Sequence, residues 1–326
     1  MSSLYPLKFT PIFKDKIWGG QKIRTSLGMD FGNLQNCGEA WVMSGVDGNP
    51  TMVSNGFLEG NELNEIVEIY MGELVGDKVF DKFGNEFPLL IKFIDSNDWL
   101  SIQVHPDDSL AKKRNIGMGK IEMWYMLDTE DDAQLIAGFN KKTNKEEYIN
   151  HLEANTIKEL MNFEKVNKDD VFYMPAGRVH ALGPGCLLAE IQQTSDTTYR
   201  IYDWDRIDVS GTKRELHTEE AIDAIDFEFH EKYKTEYEAK QNATSPVVDS
   251  PFFTSRIIKL DKAVIKNYSD LDSFVIYICT EGGVEIKWEG GETTLKKGET
   301  LLVPAIIDNI AINPLVESKL IEVFIA

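Results

Sequence analysis

Histidine is scarce in this chain, with five in 326 residues (His105, His151, His180, His217 and His230), and two of them stand beside other side chains able to bind a metal. In LSIQVHPDD, Gln103 and His105 are two residues apart, so on a strand both leave on one face, with Leu100, Ile102 and Val104 on the other. Seventeen residues after His105 (122 − 105 = 17), GKIEMWYML offers Glu122, and the same alternation puts Lys120 on its face. A third strand brings His180 after the Pro/Gly turn of YMPAGRVHALG. Gln103, His105, Glu122 and His180 form an N2O2 donor set on neighbouring strands, suited to zinc or another borderline divalent ion with a position left for substrate. Cys37, Cys186 and Cys279 are widely separated and lack CxxC spacing, which argues against a thiolate zinc site and against a disulfide framework.

The elements that position these groups are mostly short β-branched and aromatic runs broken by Gly, Asn, Asp or Pro, the pattern of a mainly β sandwich or barrel. Helical spacing is clearest at Leu63, Ile66, Val67 and Tyr70. A polar helix is expected over 145–162, and another after Thr218, read as an N-cap with Glu219 and Glu220 in the first turn; all three helices read as inserts on a β framework. Residues 231–250, polar and carrying a Ser-Pro step, read as a linker, which divides the chain into units 1–235 and 236–326. The C-terminal unit reads as successive strands, with hairpin turns expected at Gly282-Gly283 and Gly290-Gly291. NKDDVFYMPAGRVHAL (167–182) and KKGETLLVPAIIDNIAI (296–312) share a turn, strand, Pro and strand, with Pro175 matching Pro304; the second copy lacks Gly177 and His180. This suggests two related β domains, one of them metal-competent.

Composition sets limits. With 34 basic and 54 acidic residues, the net charge of −20 disfavours a general nucleic-acid binder, which needs basic patches to displace counterions. A hydrophobic content of 42% can bury a substantial core. No run of apolar residues is long enough to span a bilayer and the first twenty residues do not read as a leader, so a cytoplasmic protein without a membrane partner is expected.

In order and spacing, QVHP, GKIEMWY, YMPAGRVHALG and SDTTYRIYDWDR resemble the type I mannose-6-phosphate isomerases, zinc-dependent cupin enzymes, in their short bacterial form. DKIWGG (15–20), CGEAWVMSG (37–45) and PLLIKFIDSNDWLSIQVHPD (88–107) fit as well, so the likeness runs to about residue 206. It implies two cupin (jelly-roll) β-barrel domains, helical inserts in the N-terminal one, and a metal-free C-terminal one. It makes Gln103, His105, Glu122 and His180 the ligands of one zinc ion per chain, Gln103 being the weakest donor. Arg200 matches the family's active-site arginine, Asp196 an acid four residues before it, and Lys120 and Lys92 two family lysines. The implied substrates are mannose 6-phosphate and fructose 6-phosphate.

Such an isomerisation moves a proton between C1 and C2 through an enediol whose oxygens gain negative charge, which a divalent ion and cationic side chains stabilise. Lys120, Asp196 and a zinc-bound water are all open as proton carrier. A dianionic sugar phosphate needs a basic pocket within an acidic protein, for which Lys92, Lys120, Arg200 and Arg178 are available, Lys92 being assigned to the phosphate end. Ser44 and Ser101 are candidate hydroxyl donors, and Trp18, beside Gly19-Gly20, is expected at the pocket rim. Two other readings stay open: a metal cupin of another reaction class, such as a non-haem iron oxygenase, and a cupin that binds a sugar phosphate without turnover.

Overall fold

The computed structural model describes residues 4–207 and 211–326. In the first half, the strands are β1 (Ile12–Lys14), β2 (Glu39–Met43), β3 (Leu89–Ser96), β4 (Ile102–Val104), β5 (Glu122–Thr129) and β6 (Gln134–Phe139). They continue with β7 (Met161–Lys165), β8 (Val171–Met174), β9 (His180–Leu182), β10 (Cys186–Gln193) and β11 (Tyr199–Tyr202). One sheet has the order β8-β5-β10-β3-β2-β1 and faces a second of order β11-β4-β9-β6-β7. A short ribbon, Phe9–Thr10 with Met52–Val53, stands apart from both.

The second half contributes β12 (Ala243–Asp249), β13 (Thr254–Leu260), β14 (Val264–Asn267), β15 (Val275–Glu281) and β16 (Gly283–Trp288). It ends with β17 (Gly291–Lys296), β18 (Thr300–Val303), β19 (Asn309–Pro314) and β20 (Ser318–Phe324), in sheets β12-β13-β20-β15-β18 and β14-β19-β16-β17. Strands β3 to β10 and β13 to β20 thus succeed one another in the same order and pair in the same way. The resemblance between 167–182 and 296–312 is one fragment of this repeat. The chain is mainly β, built as two jelly-roll units.

The central strands are buried on both faces, so their sequences lack plain alternation. In β3, Leu89, Ile91 and Phe93 join Met123 and Tyr125 of β5 and Ala189 and Ile191 of β10 in a core that also contains Ile257, Ile276, Ile278, Ile321 and Val323 of the second half. The two larger sheets therefore pack back to back. The opposite faces of β3, β5 and β10 present Lys92, Ile94, Glu122, Trp124, Leu188 and Glu190 to the interior of the first unit.

Helices cover the edges of this frame. Leu63–Val75 buries Leu63, Ile66 and Val67, as the spacing implies, although the backbone breaks at Met71. The helix expected over 145–162 ends at Glu153; Ile157–Leu160 is a tight turn and Met161–Lys165 a strand. In the helix Thr218–Ala224 the N-cap is His217, not Thr218. Among the described residues, no helix is long and apolar enough to cross a membrane.

The segment 231–250 is tied to both halves. The Tyr233 hydroxyl donates to the Phe139 carbonyl at 2.9 Å, and 243–249 form edge strand β12, where Pro246 sits beside a register shift. Of the two expected hairpins, Trp288 faces Gly291 across a two-residue turn, but Gly282 marks the corner where the chain passes from one sheet to the other.

Candidate metal centre

Strand alternation places the candidate metal-binding groups. Gln103 on β4 lies directly opposite His180 on β9, and Glu122 projects from β5 in the facing sheet. Ile102 and Val104 pack on the other side of β4, whereas Leu100, before the strand, lines the interior. Gly177 adopts φ +85° in the turn before His180, and its N–H donates to the His105 carbonyl at 2.9 Å, tying β4 to β9. Asp107 caps the helix Asp108–Arg114 by accepting from Leu110 N–H at 2.7 Å. Asp108 accepts from Gly119 N–H, and Gln193 Oε1 from Ile121 N–H, fixing the approach of the chain to Glu122.

His105, Glu122 and His180 are buried, and one ligand atom from each lies within 4.8 Å of the others. His180 Nε2 is 3.2 Å from Glu122 Oε1, and His105 Nε2 is 3.6 Å from Oε2. His180 Nδ1 is 2.8 Å from the Arg178 carbonyl and His105 Nδ1 is 2.9 Å from that of Thr197. A carbonyl only accepts, so both Nδ1 atoms carry the proton and both Nε2 atoms are left as acceptors beside Glu122. His105 Nε2 and both Glu122 carboxylate oxygens are buried without a directed hydrogen-bond partner. Imidazole nitrogens converging on a buried carboxylate whose cationic neighbour is Lys120 form a donor set that fits a divalent cation. Burial drives His180 down to about 4 and His105 well below its ordinary value, while burial and the nearby Glu190 push Glu122 up to about 7.

Beside the cluster lies a cavity of about 270 Å³ lined by Gln103, Lys120, Trp18, Ser101, Lys92, Glu190, Asp196, Arg200 and Arg214, among others. Lys120 is buried, with Nζ 3.0 Å from Glu122 Oε2. Asp196 is exposed at the cavity's edge and Trp18 is buried in its wall. Arg200 faces Gln103 across β11 and β4; its Nη1 donates to the Glu215 carbonyl, while its Nε is buried without a partner. Burial and the neighbouring Arg214 guanidinium both lower the Arg200 pKa, so two cations crowd this wall. Asp203 holds Arg214 and Arg206 together through short contacts.

Two assignments from the sequence have other surroundings. Ser44 is buried in a loop, its hydroxyl donating to the Asn49 carbonyl at 2.8 Å, and is not among the cavity-lining residues. Lys92 lies between Glu190 (3.2 Å) and Glu39 (3.8 Å), so its charge is already matched. Sequence reasoning missed Glu190, Glu39, Lys16 and Arg214. A carboxylate inside the apolar run CLLAEIQQ carries the same signal as the lysine in PLLIKFI, and the two face each other directly. A larger cavity, of about 560 Å³, between the Lys8–Phe13 region and Lys296–Thr300 contains none of the candidate residues.

Comparisons with known proteins identify the family. Residues 6–144 match the family described as phosphomannose isomerase type I, catalytic domain. A probable mannose-6-phosphate isomerase, GmuF, of Bacillus subtilis is 36% identical over 306 residues, covering 92% of this chain and 94% of that protein. The mannose-6-phosphate isomerase of Streptococcus mutans is 34% identical over 303 residues, 93% of each chain. The crystal structure of the mannose 6-phosphate isomerase from Bacillus subtilis superposes with a TM-score of 0.87 at 32% identity, covering 98% of this chain and 99% of that one. With its orphaned donor cluster, its repeated jelly rolls and relatives aligned along nearly their whole length, the chain belongs to the type I phosphomannose isomerase family.

Proposed function

We propose that this protein catalyses the reversible isomerisation of D-mannose 6-phosphate and D-fructose 6-phosphate, using one zinc ion per chain held by His105, Glu122, His180 and Gln103. The observation that carries the reading is the set of orphaned donors at one side of a cavity whose wall also bears Arg200 and Arg214. Zinc bound there supplies Lewis acidity towards the carbonyl and the adjacent hydroxyl oxygen.

The chain's own groups meet the remaining demands. Arg200 and Lys120 supply positive charge where the enediol oxygens become negative. Arg214, next to Arg200 and held by Asp203, takes the phosphate end, a role for which Lys92 is too closely matched by carboxylates. Lys120 and Asp196 line the same cavity and are the side chains available to carry the proton between C1 and C2. Trp18 and Ser101 complete the wall around the sugar.

We assign catalysis to residues 1–235 and a metal-free supporting unit to 236–326. In the repeat, Val275 and Asn309 take the register positions of Glu122 and His180, which leaves the second unit without the imidazole and carboxylate. The free, buried cysteines are compatible with the reducing cytoplasm, where we place the protein. The direct test is the fate of deuterium at C2 of mannose 6-phosphate. Isomerisation moves the label to C1 or into solvent, whereas a protein that binds the sugar phosphate tightly and leaves the label at C2 is a binding protein.

A further inference from the structure

We infer that Lys92 is a positioning residue, which fixes the Glu190 carboxylate in the cavity and neither holds the substrate's phosphate nor carries a proton. The inference rests on the isomerase reading. Glu190 occupies the central position of three adjacent strands, with Lys92 directly opposite on β3 and Trp124 directly opposite on β5. The two carboxylate oxygens have different neighbours: Lys92 Nζ lies 3.2 Å from Oε1 as an ion pair without a directed hydrogen bond, and the Trp124 indole donates to Oε2 at 2.8 Å. The far side of Lys92 meets Glu39 at 3.8 Å, and Glu39 in turn accepts from the Trp41 indole at 2.7 Å and pairs with Lys16 at 3.2 Å. The result is a row of alternating charge, Lys16, Glu39, Lys92, Glu190, with each carboxylate capped by a tryptophan.

Although Lys92 touches the cavity, its side chain is only 5% exposed. A phosphate would have to compete with two carboxylates for it, while the crowded Arg200 and Arg214 stand in the same cavity. A buried ammonium between two carboxylates also stays protonated, which removes it as a base.

The repeat supplies independent support. In the second unit Glu322 occupies the same central position, with Arg256 opposite on β13 and Tyr277 opposite on β15. Arg256 Nη1 is 3.8 Å from Glu322 Oε2, and the Tyr277 hydroxyl donates to Oε1 at 3.0 Å. Cation, carboxylate and aromatic donor recur at matching positions in a unit whose ligand positions hold Val275 and Asn309. The arrangement therefore belongs to the shared sheet and does not depend on metal chemistry. Tyr268 and Lys266 close over Glu322, which is fully buried, whereas Glu190 faces the open cavity and becomes a rigid acceptor for sugar hydroxyls.

The test compares wild type with Lys92→Met, Lys92→Arg and Glu39→Gln. It measures kcat, KM for mannose 6-phosphate, inhibition by a non-isomerisable hexitol phosphate, zinc content and thermal melting. Lys92→Met should lower kcat about 100-fold while KM and the inhibition constant stay within about threefold, and Lys92→Arg should recover about a tenth or more of the rate. An inhibition constant raised tenfold or more in Lys92→Met, with kcat kept, would make Lys92 a phosphate ligand and overturn the inference. Loss in Lys92→Arg equal to that in Lys92→Met would make it a proton carrier and do the same. If Lys92→Met does not fold, Glu39→Gln decides: KM stays within about twofold if Lys92 is turned towards Glu190, and falls about fivefold if the released ammonium binds phosphate. Absent turnover in zinc-loaded wild type counts against the isomerase reading, whereas wild-type turnover indifferent to Lys92 counts against this inference alone.

Discussion

Gln103 and His180 lie directly opposite each other on antiparallel strands, with their Nε2 atoms 3.3 Å apart. Because His180 donates from Nδ1 to the Arg178 carbonyl, its Nε2 accepts from the Gln103 amide, which shields the lone pair that a metal needs. A half-turn of the amide presents its oxygen instead, so Gln103 can be either guard or ligand. The donors should accordingly differ in weight. His180→Ala and Glu122→Gln should weaken zinc binding more than about 100-fold and abolish turnover, whereas Gln103→Ala should weaken it about tenfold. Zinc content after dialysis against a graded chelator series checks the order. Full activity in zinc-free His180→Ala would contradict the assignment.

Proton release on metal binding follows from the same burial. In the metal-free site Glu122 titrates at about 7, raised by burial and Glu190, while burial leaves both imidazoles neutral well below their usual range. At pH 6 a cation must displace one proton, from Glu122, and above pH 8 almost none. Calorimetry in buffers of different ionisation enthalpy should find about one proton released at pH 6.

The linkage signs oppose each other. A carboxyl raised from 4.5 gives stability that is lost as pH rises through 7; histidines lowered from 6.5 give stability that is lost as pH falls towards their folded values. Between pH 4.5 and 6.5 the unfolded chain binds two protons on these histidines and the native site one on Glu122. The metal-free protein should then lose stability as pH falls across that window, because two imidazoles gain protons on unfolding against the one proton held by Glu122. Denaturant titrations at several pH values measure the loss.

Arg200 and Arg214 should separate by kinetics. Arg200→Ala should keep its zinc and lose turnover, because Arg200 lies opposite Gln103 in the strand register and lines the same cavity. Arg214→Met should retain most of kcat and raise KM for the sugar phosphate about tenfold, since it removes charge that binds ground state and transition state alike. Zinc lost from Arg200→Ala would show instead that this arginine supports the metal site.

The gathering of Gln103, His105, Glu122 and His180 is legible in the sequence because β4, β5 and β9 each turn one face to the interior, so strand alternation brings these side chains together. Glu190 and Lys92 were harder to place. Their strands are covered on both sides, by the interior and by the second unit, so apolar residues fill both faces and only the register shows that the two charges meet. Arg214 was hidden for another reason: it reaches the cavity from a connection fourteen residues beyond Arg200 (214 − 200 = 14), without periodicity to mark it. Gly282 looked like a hairpin glycine because a change of sheet needs the same positive φ, here +71°.

The second unit should also matter for stability. Lys319, buried on β20, reaches both Asp169 oxygens at 2.8 and 2.9 Å, and Asp169 accepts from Tyr125 of β5 at 2.6 Å. Lys319→Met leaves that carboxylate without its cation, and because Asp169 is partly exposed the cost should be about 1 to 2 kcal/mol. Chemical denaturation of the two proteins side by side measures it.

The most direct measurement is the rate of fructose 6-phosphate formation from mannose 6-phosphate by chelator-stripped protein, before and after zinc is restored. Activity that vanishes on stripping and returns with about one zinc ion per chain is the predicted result. A rate that survives complete removal of the metal, or a zinc-loaded protein with no rate at all, would contradict it.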